Sequence, residues 1–278
     1  MTAWSERLRR DGVTIGFVPT MGALHDGHRA LIHAARLQCD ALVVSIFVNP
    51  TQFGPQEDLA KYPRPIVRDR ALCRAESVDV CFEPSAAAMY PEGFQTTVEV
   101  PVIAGRWEGT ARPHHFGGVA TVVAKLFGIV RPHRAVFGQK DYQQAMVVRQ
   151  LITDLNLGIA LDVRPTIRER DGLAMSSRNV YLSADHRKVA TILYRALRSG
   201  QAAIEAGAND GPAVERIMRQ TAEREPSVTI EYLAACDVRT LDPVKTIDRG
   251  AVLLGALKIG SVRLIDNILV KGPKSKRH

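Results

Sequence analysis

Short runs of apolar, largely β-branched residues recur through the first 165 positions, at 13–18, 41–48, 78–82, 135–137 and 159–163. Runs of this length are those of buried strands, and the stretches between them carry apolar positions at helical spacing, at 29–38, 67–75, 119–129 and 143–155. Strands alternating with helices predict right-handed crossover units on a parallel sheet. Residues 1–166 are therefore expected to form a Rossmann-like, doubly wound α/β domain. After Pro165 the rhythm changes: two helical stretches, 184–206 and 212–223, precede strand-like runs at Val228–Cys236, 251–256 and 262–270. Helices followed by consecutive strands predict a smaller α+β unit over residues 167–278, with the chain passing between domains near 166–171.

Composition alters this picture little. Of 278 residues, 46% are hydrophobic and 24% charged, an ordinary folded balance. The net charge of +8 invites a nucleic-acid partner. The basic residues are scattered, however, and densest only in the tail 271–278, while aromatics at 6% supply no stacking platform. No nucleic-acid binding is expected, since a site for small anionic ligands accounts for surplus positive charge as well. Cys39, Cys73, Cys81 and Cys236 form no C-x-x-C pair and have no metal-ligand spacing, so free thiols are expected. With no signal-like start and no run of about 18 apolar residues, a soluble cytoplasmic protein without a membrane partner is expected.

Chemistry concentrates where the first predicted strand runs into PTMGALHDGH, residues 19–28. Ligands of open α/β sheets bind at the carboxyl ends of strands. Gly22 and Gly27 let backbone approach a ligand, and the amides opening the following helix favour an anion. His25 and His28 are three apart, which predicts neighbouring rings on one helical face. The arrangement suits phosphate. A second cluster, Gly138, Gln139, Lys140 and Asp141, follows the predicted strand at 135–137, and a third, Met175, Ser176, Ser177 and Arg178, offers two hydroxyls and a guanidinium to phosphate oxygens.

The H-x-G-H turn after a strand resembles the signature of the nucleotidyltransferase superfamily, and the longer string resembles the pantothenate synthetases in particular. Further blocks are similar to that family in the same order: SIFVNPTQF at 45–53, YPR at 62–64, RPHHFGGVATVVAKLF at 112–127, FGQKDYQQ at 137–144, DGLAMSSRNVYL at 171–182 and DNI at 266–268. The resemblance implies an ATP-dependent ligase that activates pantoate as an acyl adenylate and couples it to β-alanine, with ATP, pantoate and β-alanine as small-molecule partners, Mg²⁺ accompanying ATP, and a homodimer. It implies that Met21, Gly22, Ala23, Leu24, His25, Asp26, Gly27 and His28 bind ATP, with His28 a proton donor to the phosphates and His25 assisting. A histidine of ordinary pKa, about 6.5, donates in either protonation state near neutral pH.

By the same resemblance, Gly138, Gln139, Lys140 and Asp141 bind ATP, with Lys140 on the phosphates and Asp141 on the ribose. Ile167 contacts the nucleotide, and Met175, Ser176, Ser177 and Arg178 form a loop that closes over it. The implied catalytic set is His25, His28, Lys140, Ser176, Ser177 and Arg178. Gln52 is implied at pantoate and β-alanine and Gln144 at pantoate, with Asn49, Tyr62 and Arg112 as further pocket residues. Two neutral amides suit a nucleophilic carboxylate, because a directly paired arginine would hold its charge and blunt its attack. No carboxylate cluster demands a protein-bound metal, and Asp69 and Asp141, candidate partners of the water around a magnesium ion, are read rather as structural or sugar-binding. The chain departs from the family pattern at Gln139, where Glu is usual, and at Trp107, where Leu is common. The rival reading is a cytidylyl- or adenylyltransferase, which would carry more cationic side chains where Gln52 and Gln144 stand; a non-catalytic nucleotide- or RNA-binding descendant would lack His28 or Lys140.

Overall fold

The computed structural model describes residues 1–55 and 57–272, so most of the basic tail lies outside the described residues. The chain forms two compact units, Met1–Gln139 with Gln143–Thr166, and Lys140–Tyr142 with Ile167 onward.

In the first unit all five anticipated strands form: β1 (Ile15–Thr20), β2 (Ala41–Ile46), β3 (Val80–Phe82), β4 (Arg134–Gly138) and β5 (Ala160–Arg164). They are parallel, in the order β3-β2-β1-β4-β5. The order reverses between β1 and β4, the place where an open α/β sheet opens a crevice at its strand ends. Five longer helices accompany the sheet: α1 (Thr2–Arg10), α2 (Asp26–Arg36), α3 (Ile66–Ala75), α4 (His115–Val130) and α5 (Tyr142–Asp154). Strands β1 and β2 are apolar and buried almost throughout, as parallel strands covered on both faces require. Phe17 of β1 meets Phe127 of α4 edge to face at 6.3 Å with no surface left in water. Truncating such a ring costs about 3–5 kcal/mol. Helix α4 buries ten of its sixteen residues, which marks a helix enclosed on most sides rather than a surface stripe.

The second unit holds an antiparallel sheet, β6 (Val228–Cys236), β7 (Gly250–Ile259) and β8 (Val262–Lys271), in the order β6-β7-β8. Its helices are α6 (Ala184–Val189), α7 (Ile192–Glu205) and α8 (Gly211–Ala222). The single helix anticipated over 184–206 is thus two. Ala190, Ile192, Leu193, Ala196 and Leu197 all face one core, so the apolar rhythm runs on across the break and hides it. Between β3 and α4 the chain forms only short helical turns, Ala86–Met89, Pro101–Ala104 and Glu108–Ala111, too brief to show a period.

Candidate active site

The turn after β1 is built from backbone outward. The Thr20 hydroxyl donates to the Ser45 carbonyl at 2.7 Å and accepts the Gly22 N–H at 3.1 Å. Gly22 has φ +81°, and a Cβ there would stand 2.9 Å from Ile46 Cγ2 and 3.0 Å from Asp69 Oδ2, so glycine is required by conformation and by space. Ala23 follows at φ +50°, left-handed although it carries a Cβ. The Ala23 and Leu24 N–H groups donate to Asp69 Oδ2 and Oδ1, each at 2.8 Å, and the Leu24 side chain is buried in the core below.

His25 does not lie on a helical face with His28, as the spacing suggested. It is the N-cap of α2, in extended conformation, with Asp26, Gly27 and His28 as the first helical residues. The Gly27 N–H donates to His25 Nδ1 at 3.1 Å, and the His25 N–H donates to His28 Nδ1 at 3.3 Å, a reciprocal capping box that brings the rings to 4.1 Å. Because each Nδ1 accepts, each neutral ring carries its proton on Nε2. Two Nε2–H donors at a helix N-terminus match an anion.

The second grouping centres on Gln52, in a 3₁₀ turn (Pro50–Gln52). Buried Asn49 donates from Nδ2 to Gln52 Oε1 at 3.2 Å and to the Gly118 carbonyl at 3.1 Å, while its Oδ1 accepts from the Tyr90 hydroxyl at 2.7 Å. Gln52 Nε2 in turn donates to Met21 Sδ at 3.1 Å, tying this turn to the one after β1. The Gln52 carbonyl accepts from Arg112 Nη2 at 3.3 Å and from His115 Nδ1 at 3.0 Å. A Cβ at Gly118 would lie 2.4 Å from the Thr51 carbonyl oxygen, so α4 closes directly onto the backbone that carries Gln52.

Arg112 is gripped in two-pronged fashion by Glu57, at 2.7 and 2.5 Å, and reaches Gln52 only through that carbonyl. Burial pushes the Glu57 carboxyl up, but the hydrogen bonds and charge of Arg112 outweigh it and hold the group below its ordinary value. Burial, followed by the Arg112 charge, drives His115 down to about 4, so at neutral pH its ring is uncharged and donates from Nδ1. Tyr62 is buried edge-on to Phe53 at 6.0 Å. Gln144, half-buried on α5, makes no side-chain hydrogen bond among the described residues.

Glu57, His115 and Gln143 are absent from the sequence-based set. Gln143, next to Gln144, is buried; its amide donates to the Ile103 and Arg106 carbonyls, both at 2.8 Å, and accepts the Glu108 N–H at 3.1 Å. It thereby braces the turn containing Trp107, whose φ of +40° is unusual for a bulky residue.

The clusters at 138–141 and 175–178 stand as follows. Gly138 closes β4 and begins a turn, Gln139–Asp141. Lys140 belongs to the second unit; its Nζ lies 3.7 Å from Asp141 Oδ1, and its carbonyl accepts from Asn267 Nδ2 at 2.9 Å. Ile167 and Met175 are joined, the Met175 N–H donating to the Ile167 carbonyl at 3.0 Å, and Glu169 and Leu173 pair inside that hairpin. Ser176 caps a 3₁₀ turn (Ser177–Tyr181), its Oγ accepting the Arg178 N–H at 3.3 Å.

The base of this segment is fastened to its own unit. Arg168 forms a two-pronged pair with buried Asp266, at 2.6 and 2.9 Å, and stacks on Tyr194 at 4.1 Å. Burial pushes the Asp266 carboxyl above its ordinary value, with Arg168 opposing. Arg187 holds both Glu169 and Asp171 at 2.6 Å. A movement confined to residues 168–178 would have to break these pairs. The sequence-derived residues thus gather into two sets, Met21–His28 with Asn49, Gln52, Tyr62, Arg112, Gly138, Gln139 and Gln144 in one unit, and Lys140, Asp141, Ile167, Met175, Ser176, Ser177 and Arg178 in the other.

Comparison with known proteins agrees with this architecture. A model of the pantoate-beta-alanine ligase family matches residues 1–269. A pantothenate synthetase of Heliobacterium modesticaldum is 50% identical over 271 residues, covering 98% of this chain and 96% of its own. One from Chloroflexus aurantiacus is 52% identical over 259 residues, covering 93% and 92%. Among solved structures, a pantothenate synthetase of Thermus thermophilus superposes with a TM-score of 0.89 at 47% identity, covering 95% of this chain and 96% of that one. The pantoate-beta-alanine ligase of Francisella tularensis, solved in complex with beta-gamma ATP and beta-alanine, gives 0.78 at 35% identity over 96% and 95%. Family model, full-length relatives and fold coincide with the resemblance carried by the H-x-G-H turn, and the chain belongs to the pantoate-beta-alanine ligase family.

Proposed function

We propose that this enzyme condenses pantoate with β-alanine at the expense of ATP, giving pantothenate, AMP and pyrophosphate through a pantoyl adenylate. A pantoate carboxylate oxygen attacks the α-phosphorus, the bond to the β-phosphate breaks and pyrophosphate leaves. The β-alanine amine then attacks the acyl carbon, loses a proton and displaces AMP. Charge builds on the phosphoryl oxygens in the first step, so donors fixed in advance lower its barrier most. The capping box supplies two such donors, His28 Nε2–H and His25 Nε2–H, held by backbone rather than by flexible side-chain contacts. Lys140, Ser176, Ser177 and Arg178 bring cationic and hydroxyl groups to the phosphates.

The observation that carries the reading is Gln52: buried, clamped through its carbonyl by Arg112 and His115, and presenting a neutral amide. With Gln144 it can orient a carboxylate without quenching its charge. The arginine nearest this position is already neutralised by Glu57, which leaves the acid's nucleophilicity intact. A nucleotidyltransferase would need cations here, and the ligase name of the family disfavours that rival.

Among the described residues no three His, Cys, Asp or Glu side chains converge as a metal cage. A magnesium ion accompanying ATP would be held by the phosphates and water and would neutralise charge there. The reading includes a cytoplasmic homodimer, supported by the family resemblance; light scattering of the purified protein tests the mass. No helix among the described residues is long and apolar enough to cross a membrane. Incubation with ATP, Mg²⁺ and pantoate, with and without β-alanine, tests the reaction: pyrophosphate release should require pantoate, and AMP with pantothenate should require both acids. Pyrophosphate release indifferent to pantoate overturns the assignment.

A further inference from the structure

Asp69 is a carboxylate where a hydrophobic residue would be expected. It lies on α3 at 1% exposure, one turn before buried Cys73, and among the described residues no cationic side chain bridges it. Its two oxygens are taken by two successive backbone donors, Ala23 N–H and Leu24 N–H, both at 2.8 Å. The first of these donors sits where the turn after β1 is least comfortable: Gly22 and Ala23 are both left-handed, and Ala23 has a Cβ to disfavour it. Buried backbone N–H groups in such a turn have no ladder partner and need an acceptor. A carboxylate offers two acceptor atoms on one rigid fork and an amide offers one, so the pair of bonds specifies aspartate rather than asparagine.

The electrostatics sharpen the point. A carboxylate beside a polyphosphate site opposes the anion through space, and its presence is explained by what it does for the backbone. Immediately after the two gripped amides comes His25, whose own N–H fixes His28 Nδ1, so the orientation of both imidazoles depends on the path that Asp69 imposes.

We propose that Asp69 is a positioning residue for the ATP loop: it locks Gly22 and Ala23 in their left-handed path and so sets the capping box that aims His25 and His28. The proposal rests on the functional reading above, in which that loop binds ATP.

The test is Asp69→Asn, which keeps shape and leaves one acceptor. Hydrogen–deuterium exchange in the absence of substrates should accelerate about tenfold at Ala23 and Leu24 while β1 and β2 keep their protection. In turnover, pyrophosphate release should slow on the order of 100-fold, with KM for ATP rising more than KM for pantoate. A second variant, Ala23→Val, attacks the same conformation from its half-exposed side without touching the buried carboxylate, because a β-branched residue resists φ near +50°. It should reproduce the local exchange effect even if Asp69→Asn does not fold. Unchanged exchange over 21–28 in these variants, or acceleration shared by the whole sheet, overturns the proposal, as does pyrophosphate release within about threefold of wild type. Failure of the wild-type protein to form pantothenate would instead sink the functional reading, and the exchange measurement, made without substrate, would still stand.

Discussion

The turn after β1 and the segment around Ser176 are both expected to meet phosphate, yet they are made in opposite ways. In the first, side chains serve the backbone: Thr20, Asp69, His25 and His28 each bond main-chain N–H groups, and left-handed residues are held in place. In the second, ion pairs such as Arg168–Asp266 and Arg187–Glu169 fasten the base, while Met175, Ser176, Ser177 and Arg178 stay half-exposed above it. Where chemistry needs a donor in one fixed place, the backbone is built around it. A segment proposed as a cover is fastened by side-chain pairs instead. Substitutions in the first region should therefore act on the chemical step, and those in the second should cost less.

The largest effect is expected at His28→Ala, which removes a donor and opens the capping box: pantoate-dependent pyrophosphate release should drop by about 10²–10⁴-fold. A loss no greater than that of a cap residue would erase the contrast. Next comes Gln52→Glu, which sets a second carboxylate against the acid. Like-charge opposition in a buried site costs several kcal/mol, so pantoate affinity measured by calorimetry should weaken by at least about 100-fold, and near-normal affinity would remove Gln52 from the acid site.

Third is a pH effect on stability. His115 in the folded chain protonates only near 4, against about 6.5 for an ordinary histidine. Above 6.5 the ring is neutral in both states and stability is full. As pH falls from 6.5 towards 4 the unfolded chain takes up a proton that the folded one refuses, and stability drops by on the order of 3 kcal/mol before levelling. Urea unfolding across that window should show the slope, and His115→Asn, whose amide can replace the Nδ1 donor, should flatten it. The smallest change is Ser176→Ala, which deletes one cap bond worth about 1 kcal/mol and should slow AMP formation roughly tenfold or less. A loss matching that of His28→Ala would show that the second region also sits at the reacting atoms.

Much of this molecule could be read from its sequence. Buried parallel strands announce themselves as apolar runs, and the strand-to-helix turn with its glycines stood out because little else can stand there. Asp69 was legible only as a structural or sugar-binding carboxylate, and Glu57, His115 and Gln143 did not stand out, for one physical reason: their partners are backbone groups or side chains 35 to 63 positions away, and sequence does not show where a distant carbonyl or N–H will point. Asp69 left one trace, a charge four residues before Cys73 on the same buried stripe of a helix. The capping role of His25 was hidden because histidine is not among the usual N-cap residues, and its spacing to His28 fitted a helical face equally well.

The reversal of strand order between β1 and β4 also has a consequence in time. On the ribosome the turn at 21–28 emerges about 110 residues before Gly138, which is roughly 5–20 s of synthesis. Strand β2, beginning at Ala41, follows β1 closely and can pair with it early, but the other edge of β1 stays open until β4 is made. Through that interval a buried, apolar strand presents an unpaired edge, the feature most prone to joining another chain. The central strand of the finished enzyme is thus its most exposed edge while it is being born, and slowed translation between residues 46 and 134 would be felt as lost yield rather than lost activity.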